Sequence, residues 1–295
     1  MVKNIIANFV GKFWSLLSVF IFVPLYIQIL GFESYAIISF MLVIAGVVTV
    51  LDAGLTATLS REFARADISQ EMKSKTLVTL ESIYVLIIGL VIVGIFSFSG
   101  LIAGSWLNSE SFTNSELTWF LRFISFDVAF QMLFRFYVGG VLGLEKQVFA
   151  NVLQVGWGVL RNGLVVIAIW LSPNLNTFFI WQAISTVVFA VLAKVYLKKL
   201  LNNSNGYEFS FSWQIDSQTL HRIWKFAGGM MLISLVAALN SQMDKIAISK
   251  LLPIETLGHY TLAVSLSMAL VTLVNPIAVA LLPRFYCFIH GTKVR

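Results

Sequence analysis

Charge is what this sequence has least of. Asp, Glu, Lys and Arg together make up 12% of its 295 residues and 58% are hydrophobic, against roughly 25% charged and 45–50% apolar in soluble domains. Water is thereby excluded as the solvent for most of the chain, and a bilayer takes its place. Long polar stretches are also lacking, so no separate soluble domain is visible and one helical bundle accounts for the length. Cysteine occurs once, at Cys287, which rules out an internal disulfide framework or a cysteine cluster for metal. Between Tyr286 and Phe288 it reads as an apolar filler. The three histidines, His221, His259 and His290, lie far apart near membrane boundaries. Neither a phosphate-binding glycine loop nor a nucleophile elbow is present, and the outer loops lack carboxylates paired at catalytic spacing. An enzyme is disfavoured, and no metal or cofactor is expected.

Long apolar runs, by contrast, fill the chain. Crossing the hydrocarbon core takes about 20 apolar residues, and spans are predicted near 8–30, 35–59, 77–104, 118–140, 149–171, 177–197, 226–251 and 258–284. The fold class is an all-α polytopic membrane protein of about eight transmembrane helices. The first run, Ile5 to Leu30, is too long for a signal-peptide core and has no small-residue cleavage site, so it is a retained helix. The formal net charge is +6, and its placement sets the topology. Lys3, Lys12, Arg61, Arg65, Lys73, Lys75, Lys146, Lys194, Lys198, Lys199, Arg222, Lys225, Arg284, Lys293 and Arg295 all fall on one side. The other side has only Lys250. Basic loops stay in the cytoplasm, so both termini are expected there. The positive charge is a topology signal, and nucleic acid is not an expected partner.

Ionisable residues inside spans usually face a cavity or a partner, because a bilayer charges a few kcal/mol for each. On the fourth span Asp127, Gln131 and Arg135 recur every four residues as one stripe. On the fifth, Asn151, Gln154, Gly158 and Arg161 are expected to share a face. Counting about 1.5 Å per residue, Asp127 and Arg161 lie at similar depth, and an interhelical ion pair is allowed. A structural salt bridge and a lining for an aqueous cavity both fit that pair. Arg122 is placed to snorkel to the surface. Asn4, Asn8, Lys12 and Ser15 fall close to one face of the first span, and Lys12 could equally snorkel. Asp52, between Thr49 and Thr56, could be a protonatable coupling site, cap a helix end or pair with Arg61. Asp244 and Lys245 are neighbours projecting about 100° apart, so they cannot both enter one cavity and a domain-interface contact is the default. Gly100 and Gly104, and the cluster Gly139, Gly140 and Gly143, are expected to let helices pack closely. Pro24 and the pair Asn275 and Pro276 are candidate bending points.

A weak internal repeat is present. Gly31, Glu33, Tyr35, an apolar run, then Arg61 and Phe63 are echoed by Glu255, Gly258, Tyr260, a similar run, then Arg284 and Phe285. Both hairpins start on the same side, so the repeat is parallel and helices seven and eight would echo helices one and two. The expected domains are a six-helix lobe (1–197), a cytoplasmic linker (198–225), the first two helices of a second lobe (226–285) and a cytoplasmic tail (286–295). Equal halves would need a chain of about 400 to 450 residues. A truncated product or partial chain is therefore expected, with a natural eight-helix protein as the alternative.

The stretch LDAGLTATLSREFAR, Leu51 to Arg65, resembles the end of the second helix in bacterial polysaccharide flippases. These O-antigen and lipid-linked oligosaccharide transporters belong to the multidrug/oligosaccharidyl-lipid/polysaccharide exporter superfamily. DKIAISKLLPIETLGHYTLA, Asp244 to Ala263, is similar to that family's seventh helix and outer hairpin. The resemblance implies two six-helix lobes, alternating access, and movement of an undecaprenyl-diphosphate-linked oligosaccharide between leaflets of the bacterial inner membrane. Implied partners are the lipid-linked oligosaccharide, membrane lipids, a polysaccharide polymerase and a chain-length regulator, with proton or sodium coupling as the energy source. On that reading Asn8, Lys12, Asp127, Gln131, Arg135, Gln154 and Arg161 line the substrate cavity. Arg135 and Arg161 would supply cations for a diphosphate or acidic sugar, and Asp52, Asp244 and Lys245 are candidates for coupling or gating. A cation-coupled multidrug exporter and an inactive fragment are the alternatives.

Overall fold

The computed structural model of the protein describes residues 2–52, 54–202 and 215–268, the side chains of residues 2–13, 15 and 16 aside. Asn4, Asn8, Lys12 and Ser15 on the first span, and Asn275, Pro276, Arg284, Cys287 and the tail, lie outside what is described. All regular structure among the described residues is helical, as hydrocarbon demands of a backbone that must satisfy its own polar groups.

The helices are α1 (Val2–Leu30), α2 (Phe32–Val48), α3 (Leu55–Ala64), α4 (Gln70–Ser105), α5 (Asn114–Gly143), α6 (Gln147–Gly158), α7 (Leu164–Leu171), α8 (Leu175–Asn202), α9 (Ser217–Leu251) and α10 (254–268). Among the described residues six segments are long and apolar enough to cross a membrane: 32–52, α4, α5, 147–171, α8 and α9. α1 contributes a shorter apolar stretch, Leu17–Leu30. The protein is a multi-pass membrane protein. α5 is the hub, packed against α8, α4 and α3. Pro24 sits within α1 without ending it.

Polar side chains start several of these helices. Ser69 Oγ accepts from Met72 N at 3.3 Å ahead of α4. Thr113 and Glu116 form a reciprocal capping box on α5, and Asp216 accepts from Thr219 N at 3.0 Å at the head of α9. Each satisfies backbone donors that the first helical turn leaves unpaired.

The second span departs from its predicted end at residue 59. It tightens into a 3-10 turn over Thr49–Asp52, and Gly54 at φ 68° turns the chain into the separate helix α3. Gly54 occupies the left-handed region that a side chain resists, and a Cβ there would collide with Met230 of α9. α3 buries Leu55, Leu59 and Phe63 at four-residue spacing while Arg61 and Ala64 stay exposed, so it packs lengthwise on α5 rather than extending the span.

The expected glycine contacts divide. A Cβ on Gly100 would meet nothing within 4 Å, and one on Gly104 only Asn114 Nδ2 at 3.8 Å, so that pair brings no helices together among the described residues. The other cluster does: a Cβ on Gly143 would lie 2.5 Å from Ser60 O and 2.8 Å from Phe63 Cβ. Because the first obstacle is backbone, Gly143→Ala is expected to cost about 1–3 kcal/mol by overpacking. A lowered melting temperature of the purified protein would register it; Gly100→Ala should leave that temperature unchanged.

At the basic end one buried carboxylate serves three arginines. Glu62, 1% exposed, lies 3.8 Å from Arg61, 3.4 Å from Arg65 and 3.4 Å from Arg222. Arg222 also donates to Thr76 Oγ1 at 2.9 Å, and Arg61 stacks over Phe226 at 4.5 Å. α3, α4 and α9 are thus tied at that end. At the other end the Glu33 carboxylate accepts from Ser109 Oγ at 2.5 Å, Glu110 N at 2.9 Å and Ser111 N at 3.2 Å. There Trp106 Nε1 donates to Ser249 Oγ at 3.1 Å, and Ile254 N to Asn108 O at 3.0 Å, joining α4 and its loop to α9 and α10.

Candidate functional site

Among the described residues, two groups of polar side chains inside the spans have opposite surroundings, and the α5 stripe runs through both. The first group is closed. Arg161 Nη1 lies 2.6 Å from Asp127 Oδ1 and Nη2 lies 2.8 Å from Oδ2, a two-pronged pair with both residues buried. Gln131 Nε2 donates to Asp127 Oδ2 at 2.9 Å, and Thr186 Oγ1 lies 2.6 Å from Arg161 Nη1 and 2.8 Å from Asp127 Oδ1. The guanidinium stacks 5.1 Å from the Trp157 ring. With its charges matched and further hydrogen bonds from Gln131 and Thr186, this pair is a buried salt bridge of the kind the sequence allowed.

Arg161 stands where the fifth span departs from a continuous α-helix. Val159–Gly163 is a π turn, closed by Leu164 N bonding back to Val159 O. Such a turn loosens the usual backbone pairing, and three consecutive carbonyls find side-chain donors. Leu160 O accepts from Trp181 Nε1 at 2.8 Å, Arg161 O from Gln182 Nε2 at 3.1 Å and Asn162 O from Tyr26 Oη at 2.6 Å. The expected single polar face of the fifth span is accordingly broken. Arg161 points inward, whereas Gln154 is exposed and Asn151 bonds the Gln147 carbonyl at 2.9 Å. Gly158 does permit a close approach, with Trp14 of α1 about to touch it.

The second group is open. Two turns beyond Asp127, Arg135 emerges exposed into a cavity of about 340 Å³ lined by α2, α3, α4, α5 and α9. Asp52, Thr56, Tyr84 and Arg135 share it with Ser234, Ser241 and Gln242 of α9. Asp52 Oδ1 accepts from Tyr84 Oη at 2.7 Å, Thr56 Oγ1 at 2.6 Å and Thr56 N at 3.4 Å. It therefore caps α3 and pairs with Tyr84 instead of Arg61. Among the described residues no carboxylate comes within ion-pair distance of Arg135. The cavity thus presents a cation with free donors beside a carboxylate whose Oδ1 is already engaged. Such a surface can take an anionic group by charge-assisted hydrogen bonds.

Asp244 and Lys245 lie away from this cavity. Asp244 accepts from Tyr260 Oη of α10 and from Lys245 N, a contact within the hairpin. Arg122 stacks on Phe96 at 4.5 Å and Trp119 at 5.2 Å. Sequence reasoning missed Glu81, which is fully buried on α4 and receives Tyr137 Oη at 2.5 Å and Lys194 Nζ at 2.6 Å. It also missed Tyr84, Gln182, Thr186 and the polar side chains of α9. Gln182 and Thr186, four apart in an apolar helix, carried a signal of the kind read on the fourth span. Tyr84 carried none, since a lone tyrosine in a span looks like an anchor or a filler.

Among the described residues no group of histidine, cysteine and acidic side chains could hold a metal ion. No curated protein and no solved structure matches the chain. A protein family described as polysaccharide biosynthesis protein matches residues 1–288. With nearly the whole length matched, the chain belongs to the polysaccharide biosynthesis protein family.

Proposed function

We propose that the protein takes part in moving a diphosphate-linked oligosaccharide lipid, an O-antigen or similar surface polysaccharide unit, across the bacterial inner membrane by alternating access. The observation that carries this reading is Arg135, a cation without an ion-pair partner among the described residues, exposed in a polar cavity between α5 and α9. A permanent charge held at membrane depth is costly unless it serves a partner, and a diphosphate is a partner of matching charge and geometry. Membership of the family fits transport better than catalysis.

Asp52, opposite Arg135 in the cavity, is the residue we would assign to proton or sodium coupling. We divide the chain into a six-helix lobe and the start of a second from the internal repeat of its outer hairpins. We place both termini in the cytoplasm from the distribution of Lys and Arg, and a polymerase and chain-length regulator as working partners.

Deleting the gene should abolish surface polysaccharide in a strain without a second transporter of this kind, and re-expression should restore it. Purified protein in liposomes should move a fluorescent lipid-linked oligosaccharide between leaflets. Unchanged polysaccharide on deletion, together with hypersensitivity to cationic drugs, would overturn the proposal in favour of an exporter.

A further inference from the structure

Beside the polar cavity lies a second, larger space of opposite character. A groove of about 840 Å³ runs between α4 and α9, with Val48 and Leu51 at its base and Trp106 and Lys250 at its far end. Its α4 wall is formed by Ile87, Val91, Phe98 and Leu101, with Gly94 between them. The two spaces adjoin on three elements. Thr49 and Asp52 face the cavity while Val48 and Leu51 face the groove; Tyr84 faces one and Ile87 the other; Ser234 faces one and Met231 the other.

We propose that this groove holds the polyisoprenoid chain of the lipid whose anionic head group occupies the Arg135 cavity, an assignment that rests on the translocation reading above. Three features select that occupant. Length is the first: from Ile87 to Trp106 the groove follows α4 for about 28 Å at 1.5 Å per residue, close to the roughly 30 Å thickness of the whole hydrocarbon core. A phospholipid acyl chain reaches through one leaflet only, whereas a polyisoprenoid can run the full distance. Linkage is the second. Lipid tails are as apolar as these side chains, so hydrophobicity alone selects nothing inside a bilayer. A chain covalently joined to a head group already held by Arg135 enters the adjoining groove at high effective concentration. The third is charge at the far end. Lys250, whose Nζ donates to Ser105 O and lies 5.3 Å from the Trp106 ring, is exposed there. The one chain can thus remain in the groove while its diphosphate exchanges Arg135 at one end for Lys250 at the other.

Gly94 supplies the test. A side chain there meets nothing within 4 Å, so Gly94→Trp fills the groove without entering the core. Gly89 on the same helix has equal room and is not a groove residue, which makes Gly89→Trp the control. The purified full-length protein in nanodiscs is irradiated with undecaprenyl diphosphate bearing a chain diazirine, or with a diazirine phospholipid at the same mole fraction, and crosslinks are mapped by peptide mass spectrometry. The expected result is labelling of 87–106 about tenfold higher with the polyprenyl probe, suppressed by Gly94→Trp and not by Gly89→Trp. Equal labelling by the phospholipid would overturn the inference and show a bulk lipid site. Polyprenyl labelling of cavity residues without the groove would also overturn it while leaving the proposed function standing; polyprenyl labelling at neither place would remove both.

Discussion

Arg161→Met is expected to destabilise the protein by about 3–5 kcal/mol, the usual cost of removing one partner from a buried ion pair. The loss exceeds that of a contact because Asp127 would be left fully buried without its counter-charge, with only Gln131 and Thr186 as partners. Asp127→Leu should be similarly damaging, since it strands the guanidinium instead. The double variant Asp127→Leu with Arg161→Met removes both charges together and should be markedly more stable than either single change. Arg161→Lys should fall between, because a point charge cannot reproduce the two-pronged bond to Oδ1 and Oδ2. Chemical unfolding in detergent, followed by fluorescence of Trp157 beside the pair, provides the readout. Additive losses, with the double variant as unstable as the two single changes combined, would show that the pair is not coupled.

Arg135→Ala should behave in the opposite manner. Its side chain is exposed to the cavity and lacks an ion-pair partner among the described residues, so unfolding should scarcely change. Transport of a diphosphate-linked lipid in liposomes should fall about 10- to 100-fold, the equivalent of roughly 1.5–3 kcal/mol for hydrogen bonds to a charged group. Arg135→Lys should retain part of the activity, keeping the charge while losing the planar fork. Full transport by Arg135→Ala would remove the cavity from the substrate path. The two arginines sit on helices that touch, yet one is expected to govern stability and the other activity. What separates them is whether a carboxylate is within reach.

Much of this could be read before any coordinates. The all-helical multi-pass fold follows from charge scarcity and run length, and most of the helices fall close to where apolar runs placed them. The stripe Asp127, Gln131 and Arg135 was visible because four-residue spacing survives in a regular helix such as α5. The face of the fifth span was misjudged because that spacing fails across the π turn at 159–163, which no local composition announces. The second span was carried past Asp52 because Ala57 and Leu59 continue the apolar run. What ends it is the left-handed Gly54 against Met230, a constraint set by a residue 176 positions away in sequence and unreadable from the local run. The groove could not have been anticipated from sequence at all, since it exists only in the spacing between α4 and α9.

The π turn also acts as a phase shifter. A regular helix advances about 100° per residue, so one extra residue in the turn rotates everything after it by about that angle. The rotation is what directs Val165 and Ile169 into the bundle and leaves Leu164, Ile167, Trp170 and Leu171 to the lipid. Tyr26, Trp181 and Gln182, each gripping one freed carbonyl, act as detents that keep this setting from slipping. A single inserted residue and three side chains on two other helices thus decide which face of α7 the membrane sees.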